Sequence, residues 1–174
     1  WCCGEDSLFG MPSKASDGCN VIRFTKREDM TSNSGVDFAK SAVNAAPPNV
    51  LIVIWTALPR RGGSPWQNIN KFLLGGQKIL DEHFALFDAL WIKLVDFVQW
   101  LSVARKFWKI IMEWPTNCAY WQRPKVLFVI QEYELEEVFI DGCSLGVKTK
   151  KGLPIKKPWR FCTNDQHILK DFAK

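Results

Sequence analysis

Three short segments of this chain combine ligand-binding side chains with the glycine and proline that typically follow strands. They are Cys-Cys-Gly-Glu-Asp-Ser at residues 2–7, Leu-Pro-Arg-Arg-Gly-Gly-Ser-Pro-Trp at residues 58–66 and Glu-Trp-Pro at residues 113–115. Paired arginines supply forked donors that suit phosphate, and glycine lets a backbone approach a ligand closely. The Glu113 carboxylate is able to hydrogen-bond a base edge. Open α/β sheets bind ligands at the carboxyl ends of their strands, so the three segments predict one common site. The alternatives are plain turns, a flexible surface loop and a solvated carboxylate.

A fourth segment, residues 147–160, carries six cations and no acid. The six are Lys148, Lys150, Lys151, Lys156, Lys157 and Arg160. A charge run is often only a solvated face, but proline, glycine and tryptophan interrupt this one, which favours contact with phosphate. Together with Arg60 and Arg61 these residues form the predicted nucleic-acid-binding set, in a chain of net charge +5.

The elements that must position these segments alternate along the chain. An apolar, β-branched run at residues 50–55 predicts a strand buried on both faces, and apolar residues spaced by three and four predict a helix over residues 77–106. The remaining predictions are strands at residues 20–25, 108–112, 137–141 and 158–162, helices at residues 36–46 (capped by Ser32 or Ser34) and 124–133, and one or two helical turns within residues 165–174. This order predicts an α/β fold: a doubly wound, mainly parallel sheet with helices on both faces and a last antiparallel strand.

The bulk composition predicts a single globular domain spanning residues 1–174. The six cysteines form no Cys-x-x-Cys pair and there are only two histidines, which argues against a zinc knuckle, so no metal site is predicted. Without a signal peptide or membrane span, reduced thiols in an intracellular protein are expected, and the sequence does not distinguish the nucleus from an organelle. Because the sequence starts at Trp1, we expect a piece of a longer chain.

The order of the three segments resembles that of the C5-cytosine DNA methyltransferases, and of methyltransferase-like domains in protist proteins and mobile elements. The resemblance implies a Rossmann-like methyltransferase fold with S-adenosylmethionine as cofactor and nucleic acid as partner. The cofactor would contact Cys3, Gly4, Glu5, Asp6, Ser7 and Pro59. Glu113 would correspond to the glutamate that contacts cytosine. Ser64-Pro65-Trp66 also resembles the amino-methyltransferase motif without its second proline, so Ser64 joins Glu113 as a candidate catalytic residue.

One departure from the family bears on catalysis. Where the family has a cysteine after the proline of the second segment, this chain has Arg60 after Pro59. C5 methylation requires a thiolate that attacks the ring, and arginine cannot supply one. The leading expectation is therefore a divergent methyltransferase-like domain that engages nucleic acid without C5 catalysis. The alternatives are a non-catalytic nucleic-acid- or protein-binding subunit of a larger assembly, and an enzyme acting on a small molecule.

Overall fold

One open sheet carries the fold, seen in a computed structural model that describes residues 17–172. Its strands are β1 (Ile52–Thr56), β2 (Trp108–Pro115), β3 (Glu136–Asp141) and β4 (Pro158–Thr163), in the spatial order β1-β2-β4-β3. β1 pairs with β2 in parallel, whereas β4 lies antiparallel to both β2 and β3. Strands β1, β2 and β3 therefore run in the same direction, and β4 returns between two of them.

The predicted mixed α/β class and the antiparallel last strand are confirmed, but a doubly wound, mainly parallel sheet is not found in residues 17–172. Only one of the three strand pairs is parallel. The reason is the position of β4, which enters between β2 and β3 and replaces the parallel contact that those strands were expected to make. Which strand lies between which others depends on long-range packing, and the alternation of elements along a chain does not determine it.

Within residues 17–172, five α-helices accompany the sheet: α1 (Asn33–Ala45), α2 (Gln67–Asn70), α3 (Gly76–Ala104), α4 (Pro124–Glu132) and α5 (Gln166–Phe172). Long helix α3 connects β1 to β2, as predicted. The cap of α1 is Ser32, whose hydroxyl accepts a hydrogen bond from the Gly35 amide at 3.1 Å. Pro124 at the start of α4 fits a position where no amide donor is needed.

The two faces of the sheet are covered unequally. Alternate residues such as Ile110, Met112 and Trp114 pack beneath α1, α3 and α4 in the main core. Their neighbours Ile111 and Phe161 belong to a smaller cluster under α5. We call these two sides the helical face and the α5 face. The sheet thus has helices on both faces, as predicted, but in the described part of the chain the α5 face is covered by one short helix.

Three local predictions are wrong. Strand β1 is not buried on both faces, because it lies at the edge of the sheet and Val53 is 49% exposed. Residues 20–25 form no strand, and Thr25 instead caps a short 3₁₀ helix, since its hydroxyl accepts from the Arg27 amide at 3.2 Å. In return, the side chain of Glu28 accepts from the Thr25 amide at 2.6 Å. Strand β2 extends to Pro115 rather than ending at Met112. Its extension is explained by pairing with β4, where Trp114 lies opposite Arg160. Glu113 therefore lies within a strand, and the face it occupies is fixed by the pleat.

Among the described residues, no helix combines the length and the apolar character that a bilayer crossing requires.

Candidate functional site

The loops predicted to carry chemistry leave one edge of the sheet, which we call the carboxyl edge. Thr56 at the end of β1 lies opposite Met112, and Asp141 at the end of β3 lies opposite Pro158 at the start of β4. The loop after β1, which holds Pro59 and Ser64, therefore starts at the same edge as the basic segment that precedes β4. The structure thus brings the second, third and fourth segments of the sequence to one side of the molecule.

Glu113 lies on the α5 face among aromatic side chains. Its Oε2 atom accepts a hydrogen bond from the indole Nε1 of Trp55 at 3.0 Å, and Phe161 lies directly opposite it on β4. Burial raises the pKa of the Glu113 carboxyl, while the Trp55 hydrogen bond and the charge of Lys157 act in the opposite direction. The result is a half-buried acid with its neutral form favoured relative to a free glutamate.

One cation, Lys157, lies close to this acid. The ammonium of Lys157 sits 4.2 Å from the ring centroid of Trp159, and its pKa is lowered by burial and by the charge of Arg60, with Glu113 opposing. We define the Glu113 cluster as Trp55, Glu113, Lys157 and Trp159. It combines an acid, a cation and two indole rings, the groups that bind a base and its phosphate.

The rest of the basic segment forms an exposed hairpin. Lys148 bridges to Pro154 in antiparallel fashion, and the Thr149 amide donates to the Leu153 carbonyl at 2.8 Å. Lys150 and Lys151 are exposed at its tip, and Lys148 and Lys156 are exposed as well. The Nζ atom of Lys156 lies 3.7 Å from Oδ2 of Asp141. The hairpin therefore presents cations next to the carboxyl edge.

Arg160 is the exception within the predicted nucleic-acid-binding set. Its Nε lies 2.8 Å from Oε2 of Glu137, without the geometry of a hydrogen bond, and its guanidinium lies 4.6 Å from the Trp121 ring. The side chain is only 14% exposed. Arg160 belongs to the helical face, where its contacts are structural, and the structure does not group it with the exposed lysines of the hairpin.

The two glycines of the second segment contact protein rather than open space. A Cβ on Gly62 would collide with the Tyr120 hydroxyl, and one on Gly63 would lie 2.5 Å from the Cys118 sulfur. Both glycines are buried. Their small size lets the loop pack onto residues 118–120, which differs from the predicted role of bringing the backbone to a ligand.

The same loop forms one wall of an open groove of about 330 Å³. The groove is lined by Arg60, Arg61, Ser64, Trp66, Gln67, Asn70 and His83. Ser64 and both arginines were predicted site residues, so the structure brings these three together. Gln67, Asn70 and His83 were not predicted from the sequence. The absence of any acid between residues 57 and 80 was a usable signal for Gln67 and Asn70, but nothing in the spacing of α3 marks His83.

The cysteines nearest the site are poor nucleophiles in this arrangement. Cys118 is only 4% exposed, and burial raises the pKa of its thiol although the charge of Arg60 opposes the rise. Cys162 lies on the helical face, and burial raises its pKa to about 11. Cys143 is exposed beyond the end of β3. Within residues 17–172, neither buried thiol has an environment that favours the thiolate.

The predicted cofactor residues Cys3, Gly4, Glu5, Asp6 and Ser7 lie outside the described residues. Of that set only Pro59 is described, and it is exposed at the start of its loop. Proline offers no amide donor, and a single such residue does not make a cradle for S-adenosylmethionine. The described residues therefore do not supply a fit for this cofactor, and no chemical step is derived through it.

Comparison with known proteins gives no match to this chain among family models, characterised proteins or solved structures.

Proposed function

We propose that the protein is a divergent methyltransferase-like domain that binds nucleic acid at the carboxyl edge of its sheet and lacks C5-cytosine catalysis. The Glu113 cluster is the observation that carries this proposal. A half-buried acid with a raised pKa, held by Trp55 and flanked by Lys157, is suited to reading one base. The hairpin lysines and the arginines of the loop after β1 provide charge for the phosphates on either side.

Glu113 performs the central role in this proposal. Its neutral carboxyl donates a hydrogen bond to a ring nitrogen, and its ionised form accepts one from an exocyclic amine. The Trp55 hydrogen bond fixes one carboxyl oxygen, so the second oxygen is directed to the base. Trp159 offers a ring for stacking, and Lys157 beside it neutralises a phosphate. Ser64, on the loop after β1, supplies a hydroxyl that donates or accepts at the same edge.

C5 methylation is excluded from the proposal on chemical grounds. The reaction needs a thiolate beside the base, and Arg60 stands at the position where the resemblance places it. Cys118 is packed against Gly63 and its thiol has a raised pKa. In the proposal, the residues of the carboxyl edge bind and orient the nucleotide, and no methyl transfer is assigned to them.

The second candidate is a non-catalytic binding subunit of a larger assembly. It is favoured by a cluster of exposed apolar side chains at and after α2, which a partner protein would cover. These residues are Trp66, Ile69, Phe72, Leu73 and Leu74, each at least 60% exposed. The two candidates differ in whether nucleic acid or protein is the main ligand.

The salt dependence of DNA binding tests the leading proposal. Each phosphate contact contributes about 0.9 to the log–log slope of affinity against salt on duplex DNA, so Lys156→Ala with Lys157→Ala is expected to flatten the slope by about 2. The matched control replaces Lys106 and Lys170, two exposed lysines away from the carboxyl edge, by alanine. Fluorescence anisotropy with labelled DNA gives the slopes. Equal slopes for both double variants, or no binding at low salt, would support the protein-binding candidate instead.

Calorimetry with S-adenosylmethionine tests the methyltransferase-like part of the proposal separately. Saturable binding to the protein is expected if the resemblance extends to the cofactor site. Nucleic-acid binding without any heat from the cofactor would leave a nucleic-acid-binding domain, and the methyltransferase-like part of the proposal would fall.

A further inference from the structure

The groove beside α2 has a lining with an unusual charge balance. Its seven residues include two arginines and a histidine but no acid, and its volume is about 330 Å³. That volume lies at the lower end of the range for small-molecule sites. The groove is separate from the Glu113 cluster, although Arg60 lies near enough to Lys157 to lower its pKa. Its composition indicates an anionic ligand of modest size.

The guanidiniums of Arg60 and Arg61 make no hydrogen bond and no ion pair with any residue in the described range 17–172. Other arginines of the chain are engaged: Arg105 donates to the Ala46 carbonyl at 2.9 Å, and Arg123 pairs with Asp88 at 2.6 Å. Two adjacent like charges without an acid disfavour each other. A phosphate would relieve that repulsion, and its oxygens match the forked donors of arginine.

The groove residues of α2, Gln67 and Asn70, are held in place by contacts that involve backbone carbonyls. The Gln67 side-chain amide donates to the Arg61 backbone carbonyl at 2.9 Å, which fixes the start of α2 to the part of the loop that carries Arg60 and Arg61. At the other end, Gly76 packs so closely on the Asn70 carbonyl that any Cβ there would collide with it. The groove residues of α2 are thus positioned before any ligand arrives, which reduces the entropy lost on binding.

Trp66 gives the groove a surface for a planar ring. Its side chain is 70% exposed, although indole rings of this size are usually highly buried. Among the described residues, no other ring packs on it, whereas the core aromatics stack on one another, as Phe87 does on Tyr120 at 3.8 Å between centroids. An exposed indole beside unpaired arginines is the combination that stacks a base whose phosphate is neutralised nearby.

We propose that this groove binds a single unstacked nucleotide. The phosphate lies against Arg60 and Arg61, the base stacks on Trp66, and the amide of Asn70 and the ring of His83 contact sugar or base edges. This inference adds a second nucleotide subsite to the proposed function. Where the bound nucleotide belongs to a nucleic-acid strand, the inference rests on that proposed function. Because the base must be free of its neighbours to stack on Trp66, the groove accepts a free nucleotide or a single strand and disfavours a duplex.

Calorimetric titration with adenosine monophosphate, adenosine and inorganic phosphate tests the subsite, together with anisotropy on a labelled single-stranded oligonucleotide. Arg61→Ala is expected to weaken monophosphate binding about tenfold, since a charge-assisted contact is lost, and to leave adenosine unaffected. Trp66→Ala is expected to weaken both ligands about tenfold, with Trp66→Phe restoring most of the affinity. Lys78→Ala makes the same charge change on a residue that does not line the groove, and is expected to have little effect.

The outcomes separate this inference from the proposed function. If the single strand binds, and both Arg61→Ala and Trp66→Ala weaken it while the free monophosphate does not bind, the source of the nucleotide is a strand and the subsite holds. If strand binding depends on Lys156 and Lys157 but is unchanged in Arg61→Ala and Trp66→Ala, the proposed function stands and the subsite is refuted. If the monophosphate binds through Arg61 and Trp66 while no nucleic acid binds, the subsite stands and the proposed function falls.

Discussion

The indole Nε1 of Trp55 donates a hydrogen bond to Oε2 of Glu113 at 3.0 Å, joining β1 to β2 across 58 residues of sequence. Helix α3 makes this contact possible because it returns the chain so that β2 pairs in parallel with β1. The bond holds Glu113 at the carboxyl edge while burial raises the pKa of its carboxyl. The position and the protonation of the acid thus depend on a tryptophan that lies in another strand.

Replacement of Glu113 by glutamine is expected to increase the free energy of unfolding relative to the wild type, and the increase should be larger above pH 4.5 than in acid. The folded-state pKa is raised above the ordinary value of 4.5, so the folded protein binds more protons than the unfolded chain between these two values. The contribution of Glu113 to the free energy of unfolding therefore falls as the pH rises through that window and is constant above it. Glu113→Gln abolishes this fall and still accepts the hydrogen bond from Trp55.

The measurement is urea unfolding of the wild type and of Glu113→Gln at a series of pH values. The gain in the free energy of unfolding should be smallest below pH 4.5 and should grow to a plateau above the folded-state pKa. Glu82→Gln, at an exposed position on α3, is the matched control for the change of side-chain charge. A gain that is the same at every pH would mean that burial of Glu113 does not raise its pKa.

Replacement of Trp55 by phenylalanine is expected to raise the pKa of Glu113 further. The indole hydrogen bond favours the ionised carboxylate, so its loss leaves burial less opposed. Carbon-13 NMR of the Glu113 side-chain carboxyl gives the titration directly. Trp159→Phe is the comparison, because Trp159 contributes a ring to the cluster but no hydrogen bond to Glu113. An equal change in both variants would assign the effect to altered burial instead of the hydrogen bond.

Gly63→Ala is expected to destabilise the protein by about 1–3 kcal/mol, the usual cost of overpacking. The new Cβ would lie 2.5 Å from the Cys118 sulfur and 3.0 Å from a ring carbon of Tyr120. Cys118→Ala removes the closer of these atoms, so the double variant should lose less stability than the sum of the two single variants. Chemical denaturation of all four proteins completes the cycle. Strict additivity would show that the loop does not pack on Cys118.

The elements set by local pattern were predictable from the sequence, and the features set by long-range packing were not. Helix α3 was predicted because Leu80, Phe87, Leu94 and Leu101 repeat on one face, and the structure buries all four. The insertion of β4 between β2 and β3 left no periodic signal. Neither did the structural role of Arg160, since an arginine in a basic run gives no sign that Glu137 and an indole will engage it.

The candidate site shows the same division. Glu113, Arg60, Arg61 and Ser64 could be selected because their residue types and neighbouring glycine or proline indicate chemistry at strand ends. The hydrogen bond from Trp55 could not be predicted, because it depends on the parallel register of β1 and β2. His83 joins the groove only because α3 begins beside the loop that follows β1, a tertiary relationship that sequence spacing does not contain.

The last prediction is that the protein forms no covalent adduct with a fluorinated cytosine in DNA, in the presence of S-adenosylmethionine. Loss of a nucleophile typically removes several orders of magnitude in rate, and Arg60 cannot replace a thiolate. Cys118 is not a substitute, because its burial raises the pKa of the thiol and Gly63 packs against its sulfur. Denaturing electrophoresis of the trapped mixture is expected to show free protein only.

The companion variant is Arg60→Cys, which places a thiol at the position that the methyltransferase resemblance assigns to the nucleophile. An adduct in this variant, mapped by peptide mass spectrometry to residue 60, would show that the base reaches the loop after β1. An adduct in the unmodified protein that maps to Cys118 or Cys143 would refute catalytic silence, and Cys118→Ala would separate the two. Because Cys143 is exposed and Cys118 is buried, a thiol reagent applied without DNA should modify Cys143 before Cys118. Adduct formation at Cys118 would therefore require the loop that carries Gly63 to move away from it.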